Sequence, residues 1–255
     1  MADKKGTQLA IEFYHRPYMG REDFMLAECN FEAFRLIDSW PNWNYFAACI
    51  YGPTGCGKTH LSHIFSDKVS LIEHYPYKIP CIKAEELNKD LPRQLLEIHP
   101  CLIIEDLKAG IDEETLFHLY NMYRDEGGSV LFTAEEAPAR IGFHLPDLRS
   151  RMNIVQSVAI GEPDDGLLSA LLIKLFMDRQ VSVSEEVIKY MLGNMQRSFS
   201  YARKLVEETD RLSLARKRAV SINIVKEAIE NLNSDTQGEL FDFSNSDGQG
   251  ELFKF

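Results

Sequence analysis

One stretch of this sequence has the chemistry of a polyphosphate cradle. Gly52-Pro53-Thr54-Gly55-Cys56-Gly57-Lys58-Thr59 fits the pattern GxxxxGK(S/T) at every position. The glycines let backbone N–H groups converge on phosphate oxygens, and the N-terminus of a following helix adds its dipole at the same point. Lys58 supplies a point charge for the β- and γ-phosphates, and Thr59 supplies a hydroxyl ligand for Mg²⁺. His60 opens the helix and is counted with the nucleotide-binding residues. The flanks suit the motif. Phe46 to Tyr51 is a nearly continuous apolar run, as expected of a strand buried on both faces. An amphipathic helix follows from Lys58.

Such a loop needs an acidic partner at the end of a neighbouring strand, and Cys101-Leu102-Ile103-Ile104-Glu105-Asp106 supplies it. Glu105 is placed to orient the Mg²⁺ water shell, and Asp106 to polarise an attacking water. The usual order is Asp first. Glu105 departs from it, and its longer arm bears on metal geometry and on the rate of hydrolysis. Thr133 ends the strand expected at Val130 to Thr133, where a hydroxyl either meets the γ-phosphate or its attacking water, or caps the strand. Two arginines, Arg149 and Arg151, stand one residue apart in Leu145-Pro146-Asp147-Leu148-Arg149-Ser150-Arg151-Met152. An arginine on a domain edge can reach a neighbouring subunit's nucleotide. Arg197, at the mouth of a later helix, is placed to reach back to the phosphates. Arg211, Arg216, Lys217 and Arg218 form a local basic patch, read as a solvated helix end. His60 and His63 are three apart on one helix, too few ligands for a metal site.

The elements that hold these residues alternate. Strand candidates at 46–51, 79–82, 101–104 and 130–133 are separated by the glycine-rich loop with its helix and by a helix capped by Asp112. Phe31, Phe34 and Ile37 predict an earlier helix within Phe24 to Trp40. The fold class is therefore α/β, a parallel sheet with helices on both faces. After Pro163 the texture turns to helix only: Leu167 to Met177, a helix opened by Ser184, Phe199 to Leu214, and one opened by Ser221 that reaches about Leu232. The expected organisation is a flexible leader over 1–20, the nucleotide-binding α/β domain over 21–162, a small all-α lid over 163–232, and a disordered tail over 233–255.

Composition narrows the classes. Net charge is −11, with a pI near 5.2, which argues against a dedicated DNA-binding surface. No run approaches the roughly 20 apolar residues of a membrane span. Met1 to Gly6 lacks the apolar core of a signal peptide, so a cytoplasmic chain is expected. The five cysteines are odd in number and contain no CxxC pair, so they read as reduced thiols. The tail holds a repeat: Gln237-Gly238-Glu239-Leu240-Phe241-Asp242-Phe243 returns as Gln249-Gly250-Glu251-Leu252-Phe253-Lys254-Phe255. Apolar residues presented twice on a polar tail suggest a docking peptide.

The order of these motifs resembles that of AAA+ proteins, in particular the DnaA branch and, within it, the Hda-like regulators of DnaA. The resemblance covers roughly residues 8 to 232. It is carried by Asp23-Phe24 with Asn30, by Tyr51 to Leu61 around the loop, by Leu119-Tyr120-Asn121, by Leu145 to Arg151, and by Val225-Lys226-Glu227-Ala228. The Leu-Pro-Asp-Leu-x-Ser-Arg phrase is its most specific part. The resemblance implies Arg151 as an arginine finger, Arg197 as a lid arginine that senses nucleotide, Thr133 as a sensor on the core domain, and Phe24 to Asn30 as part of an adenine pocket. It implies ADP or ATP with Mg²⁺ as ligands. The Glu105-Asp106 departure bears on this chain's own ATPase activity and not on nucleotide binding. Gln8-Leu9-Ala10-Ile11-Glu12-Phe13 is similar to the sliding-clamp-binding peptide of that group: Gln8 for the pocket rim, with Leu9, Ile11 and Phe13 as apolar anchors. The alternative for this stretch is an edge strand. Gln237, Leu240 and Phe241, and again Gln249, Leu252 and Phe253, are similar to a second form of the same motif, and linked copies would bind a ring-shaped clamp with avidity.

The expected function is regulation of replication initiation: docking on the DNA-loaded sliding clamp, edge-to-edge contact with DnaA–ATP, and promotion of hydrolysis of the nucleotide on DnaA. The alternatives are a clamp-tethered adaptor without catalytic effect and a helicase-loader ATPase. Self-association along AAA+ edges is also expected. With about 23 polar residues after the lid, no DNA-reading helix-turn-helix domain and no sequence-specific DNA binding are expected.

Overall fold

The structure is a computed structural model that describes residues 20–72, 79–88 and 100–244. Five strands form one parallel sheet: β1 Ala47–Tyr51, β2 Cys81–Lys83, β3 Cys101–Leu107, β4 Ser129–Ala134 and β5 Gln156–Ala159. Their spatial order is β2-β3-β4-β1-β5, so β1, which feeds the glycine-rich loop, lies between β4 and β5.

Alternation along each strand separates two cores. Ala47 and Cys49, Leu102 and Ile104, and Val130 and Phe132 point to one face. That face is covered by α3 (Glu113–Asp125) through Leu116, Leu119 and Tyr120, and by α4 (Pro146–Met152) through Leu148 and Met152. Ala48, Ile50, Cys101, Ile103 and Leu131 point to the other face. There α1 (Phe31–Asp38) and α2 (Lys58–Ile72) bring Ala33, Ile37, Leu61 and Phe65. Burial on both sides is why these strands read as unbroken apolar runs.

Four helices follow, α5 (Asp165–Asp178), α6 (Glu185–Asn194), α7 (Phe199–Arg216) and α8 (Ile222–Ser244). They share a separate apolar cluster that includes Leu171, Leu172, Ile188, Leu205 and Val225. Local chemistry starts them. Asp164 Oδ1 accepts from Leu167 N–H at 2.7 Å, Ser184 Oγ from Val187 N–H at 3.4 Å, and Ser198 Oγ from Tyr201 N–H at 3.1 Å. Each satisfies a donor that the first turn leaves open. The Asp112 carboxylate caps α3 in the same way, at 2.9 Å from Thr115 N–H.

A fifth strand, β5, joins the four that the sequence suggests, and two helices differ from their sequence reading. The first helix begins at Phe31, not near Phe24. Asn30 accepts from Ala27 N–H and donates to Met25 O, both at 2.9 Å, which ties residues 25–30 into a turn that competes with helix. The last helix runs on from Leu232 to Ser244, so its backbone carries Gln237, Leu240 and Phe241 as helix. Propagating an existing helix adds one hydrogen bond per residue fixed, and no proline stops it. The leader motif Gln8 to Phe13 and the second repeat at Gln249 to Phe253 lie outside the described residues. Among the described residues no helix is long and apolar enough to cross a membrane.

Candidate nucleotide-binding site

The glycine-rich loop emerges from the C-terminal end of β1, where an open parallel sheet places its ligands. Gly52 admits no side chain, because a Cβ there would lie 2.4 Å from Ile160 O. Gly55 and Gly57 have φ of +77° and +106°, left-handed backbone that turns successive N–H groups into a concave cradle. The Lys58 side chain is buried along the loop, and its Nζ donates to Gly52 O at 2.7 Å and Pro53 O at 3.0 Å. Thr59 is exposed in the first turn of α2. Thr54 Oγ1 donates to Glu135 Oε1 at 2.6 Å, tying the loop to the segment after β4. Burial pushes the Cys56 thiol up, with the Lys58 charge partly offsetting it.

The acidic strand end lies at the same end of the sheet as this loop, with β4 between β3 and β1. Glu105 pairs in register with Lys83 and falls on the same sheet face as Cys101 and Ile103, the face that α2 covers. Its Oε1 is buried without a hydrogen-bond partner among the described residues. An orphaned buried carboxylate oxygen is costly, and a hard cation such as Mg²⁺ satisfies it. Together with Thr59, Glu105 therefore fits the metal ion that accompanies a nucleotide. Cys81 next to it is pushed up to about 12, by burial first and by the Glu105 charge second. Asp106 sits at φ +57° where β3 is irregular, which turns it out to solvent. Its N–H donates to Thr133 Oγ1 at 3.1 Å. Thr133 is buried, and this bond joins the ends of β3 and β4.

The helical unit rests on the loop. Phe199 N–H donates to Gly55 O at 3.1 Å, and a Cβ on Gly55 would meet Ser200 Oγ at 2.2 Å. The N-terminus of α7 thus abuts the glycine-rich loop. Arg197 immediately precedes it, exposed, with Nη2 2.9 Å from Asp165 Oδ1. On the other flank, Asn30 is fully enclosed and shapes the 25–30 turn through its two backbone bonds. Cys29 O accepts from Gly161 N–H at 2.9 Å, fixing the turn beside the β5 end. Phe24 lies against Gly57 and meets His60 edge-on at 5.2 Å. His60 is buried, with Nε2 3.0 Å from Gly20 O. Desolvation holds the imidazole below its ordinary pKa.

The structure therefore brings the start of α7 and Phe24 onto the loop, and sets Glu105, Asp106 and Thr133 at the C-terminal ends of β3 and β4. Arg151 is placed elsewhere. It lies on α4, across the sheet from α2, near Tyr120. Among the described residues no carboxylate lies within ion-pair distance of it. Two of the four residues of the basic patch are paired: Arg211 forms two bonds of 2.7 Å with Glu208, and Arg216 pairs with Glu227. Sequence reasoning missed Glu135, Ser198 and Ser200. Glu135 follows a sheet strand directly, and Ser198 has the look of a helix cap, so both carried a signal. The contact of Ser200 with Gly55 carried none.

A family model described as "Bacterial DnaA ATPAse domain" matches residues 21–159. The chromosomal replication initiator protein DnaA of Spiroplasma citri is 28% identical over 215 residues, covering 75% of this chain and 47% of that protein. An uncharacterized protein of Haemophilus influenzae is 23% identical over 185 residues, covering 71% of this chain and 80% of that one. Domain III of Thermotoga maritima DnaA superposes with a TM-score of 0.72 at 20% identity, covering 85% of this chain and 97% of that one. AMPPCP-bound DnaA from Aquifex aeolicus gives 0.65 at 18%, covering 89% of this chain and 72% of that one. The chain spans about half the length of the curated DnaA relatives it matches.

Proposed function

The chain belongs to the family of the bacterial DnaA ATPase domain, and on that premise we propose that it is an Hda-like AAA+ regulator of replication initiation. In this proposal it works with the DNA-loaded sliding clamp and promotes hydrolysis of ATP bound to DnaA. Its own site takes ADP or ATP. Lys58 and the loop amides hold the phosphates, while Thr59 and Glu105 hold Mg²⁺. The metal ion neutralises phosphate charge when bound. Asp106, exposed at the end of β3, orients a water. Arg197 exchanges Asp165 for the outer phosphate.

The observation that carries the action on a partner is the position of Arg151. Arg151 stands on α4, which covers the sheet face opposite the P-loop helix, and has no carboxylate partner among the described residues. It is available to a nucleotide presented by a second AAA+ edge, where an arginine stabilises the charge that develops during phosphoryl transfer. The leader motif Gln8 to Phe13 and the tail motifs at Gln237 and Gln249 supply the contacts to the clamp. The test is single-turnover hydrolysis of ATP pre-bound to DnaA, with DNA-loaded clamp, comparing the native protein with Arg151→Ala. The expected result is acceleration that needs the clamp and is lost in the variant, while the variant binds nucleotide normally. No acceleration by a native protein that does bind the clamp would overturn the proposal.

A further inference from the structure

The segment 20–30 runs between the sheet and the helical unit, and adjacent side chains go to each. Phe24 packs in the α1–α2 core and stacks on Phe34 at 5.8 Å. Met25, the next residue, packs against the cluster of the helical unit. Gly20 O meets His60 on the P-loop helix. Asp23 lies between these anchors, its side chain only 19% exposed, and accepts from Lys174 Nζ of α5 at 2.9 Å. Its charge also acts on Arg203 of α7, whose half-buried guanidinium is disfavoured by desolvation and by nearby Arg179, and favoured by Asp23 and Asp178. Arg179 itself is 3.9 Å from Asp210. One carboxylate from the core side thus pairs directly with a lysine on α5 and adds favourable charge near Arg203 on α7.

Those two helices carry the residues that close on the phosphate cradle. α5 begins at Asp165, which holds Arg197, and α7 begins with Phe199 and Ser200 on Gly55. A half-buried cation without its counter-ion moves to water and takes its stem with it. Without the Asp23 charge, Lys174 has reason to swing outward, and α5, whose Asp165 holds Arg197, moves with it. We propose that Asp23 is a positioning residue, acting through Lys174 to hold the helical unit closed over the bound nucleotide. This rests on nucleotide binding at the P-loop and on no other part of the proposed function.

The test is dissociation of N-methylanthraniloyl-ADP from the full chain with Mg²⁺, chased by excess ADP, in the absence of DnaA and clamp. Asp23→Asn is expected to raise the dissociation rate about tenfold, in the usual range of coupling between packed units, and to leave the association rate nearly unchanged. Lys174→Gln, a milder change at a partly exposed residue, is expected to raise it as well. The double variant is expected to go no further than Asp23→Asn alone, because both remove one interaction. Lys189→Gln, which breaks an exposed ion pair to Glu185 on α6, serves as the control and is expected to have no effect. An unchanged dissociation rate in Asp23→Asn, or strictly additive effects in the double variant, would overturn the proposal. Should Asp23→Asn not fold, an unchanged rate in Lys174→Gln would do so. A wild-type chain that binds no nucleotide would sink the site reading itself, whereas failure to act on DnaA would leave this result standing.

Discussion

Gly55→Ala separates two terms that the structure superimposes. Gly55 has φ +77°, and a Cβ there would lie 2.2 Å from Ser200 Oγ and 3.0 Å from Ser200 Cβ. Left-handed backbone costs an L-residue about 1–2 kcal/mol. The Oγ can rotate away, but the Cβ yields only if α7 shifts, and overpacking of that kind costs about 1–3 kcal/mol. The second term is capped. If the helical unit lifts instead, it forfeits the bond from Phe199 N–H to Gly55 O, worth about 1 kcal/mol, along with local packing. Gly55→Ala is therefore expected to lose about 3 kcal/mol in all. In a Ser200→Gly background the two closest atoms are gone and only Ser198 Cβ, at 3.3 Å, remains near. The same substitution should then cost only about 1–2 kcal/mol from the backbone. Urea denaturation of the four proteins gives the coupling directly, and any cost of Ser200→Gly itself cancels in the cycle. An identical cost in both backgrounds would refute the view that α7 rests on the loop.

Lys58→Met keeps the volume and removes the charge. Loss of two charge-assisted contacts to phosphate is worth about 3 kcal/mol, so calorimetric titration should show ADP affinity down roughly 100-fold with the circular dichroism unchanged. Glu105→Gln should leave ADP affinity in chelator intact but abolish the gain that Mg²⁺ brings; a full Mg²⁺ response in the variant would remove Glu105 from the metal site. His60 makes stability depend on pH. Its folded pKa is depressed, by desolvation first, with Arg203 and His63 adding and the Gly20 carbonyl and Asp23 opposing. The unfolded chain therefore binds more protons just below pH 6.5, so this contribution is present above pH 6.5 and lost as the pH falls through the folded value. Denaturation at pH 7.5 and 5.5 should show a smaller acid loss in His60→Gln than in the native protein.

What consecutive residues decide by themselves was readable from the sequence. The buried strands announce themselves as apolar runs, the P-loop as glycines followed by Lys58-Thr59, and the helix starts as Asp112 and Ser184. Each depends on backbone conformation or burial period within a few residues, and sequence carries those properties locally. The turn at Asn30 shows the limit of that locality. The helical spacing of Phe31, Phe34 and Ile37 gave the helix but not its start, which a side chain bonding backward to its own loop displaced. The order β2-β3-β4-β1-β5 was not readable, because alternating strands and helices are compatible with several arrangements of a parallel sheet. Only the tertiary structure brought Glu135 to Thr54 across 81 residues, Asp23 to Lys174 across 151, and Ser200 onto Gly55. It also left one Glu105 oxygen buried without a partner and set Arg151 across the sheet from the loop. These are contacts between chain-distant surfaces. They are chosen by the packing of whole faces rather than by the preference of any residue for its neighbours in sequence.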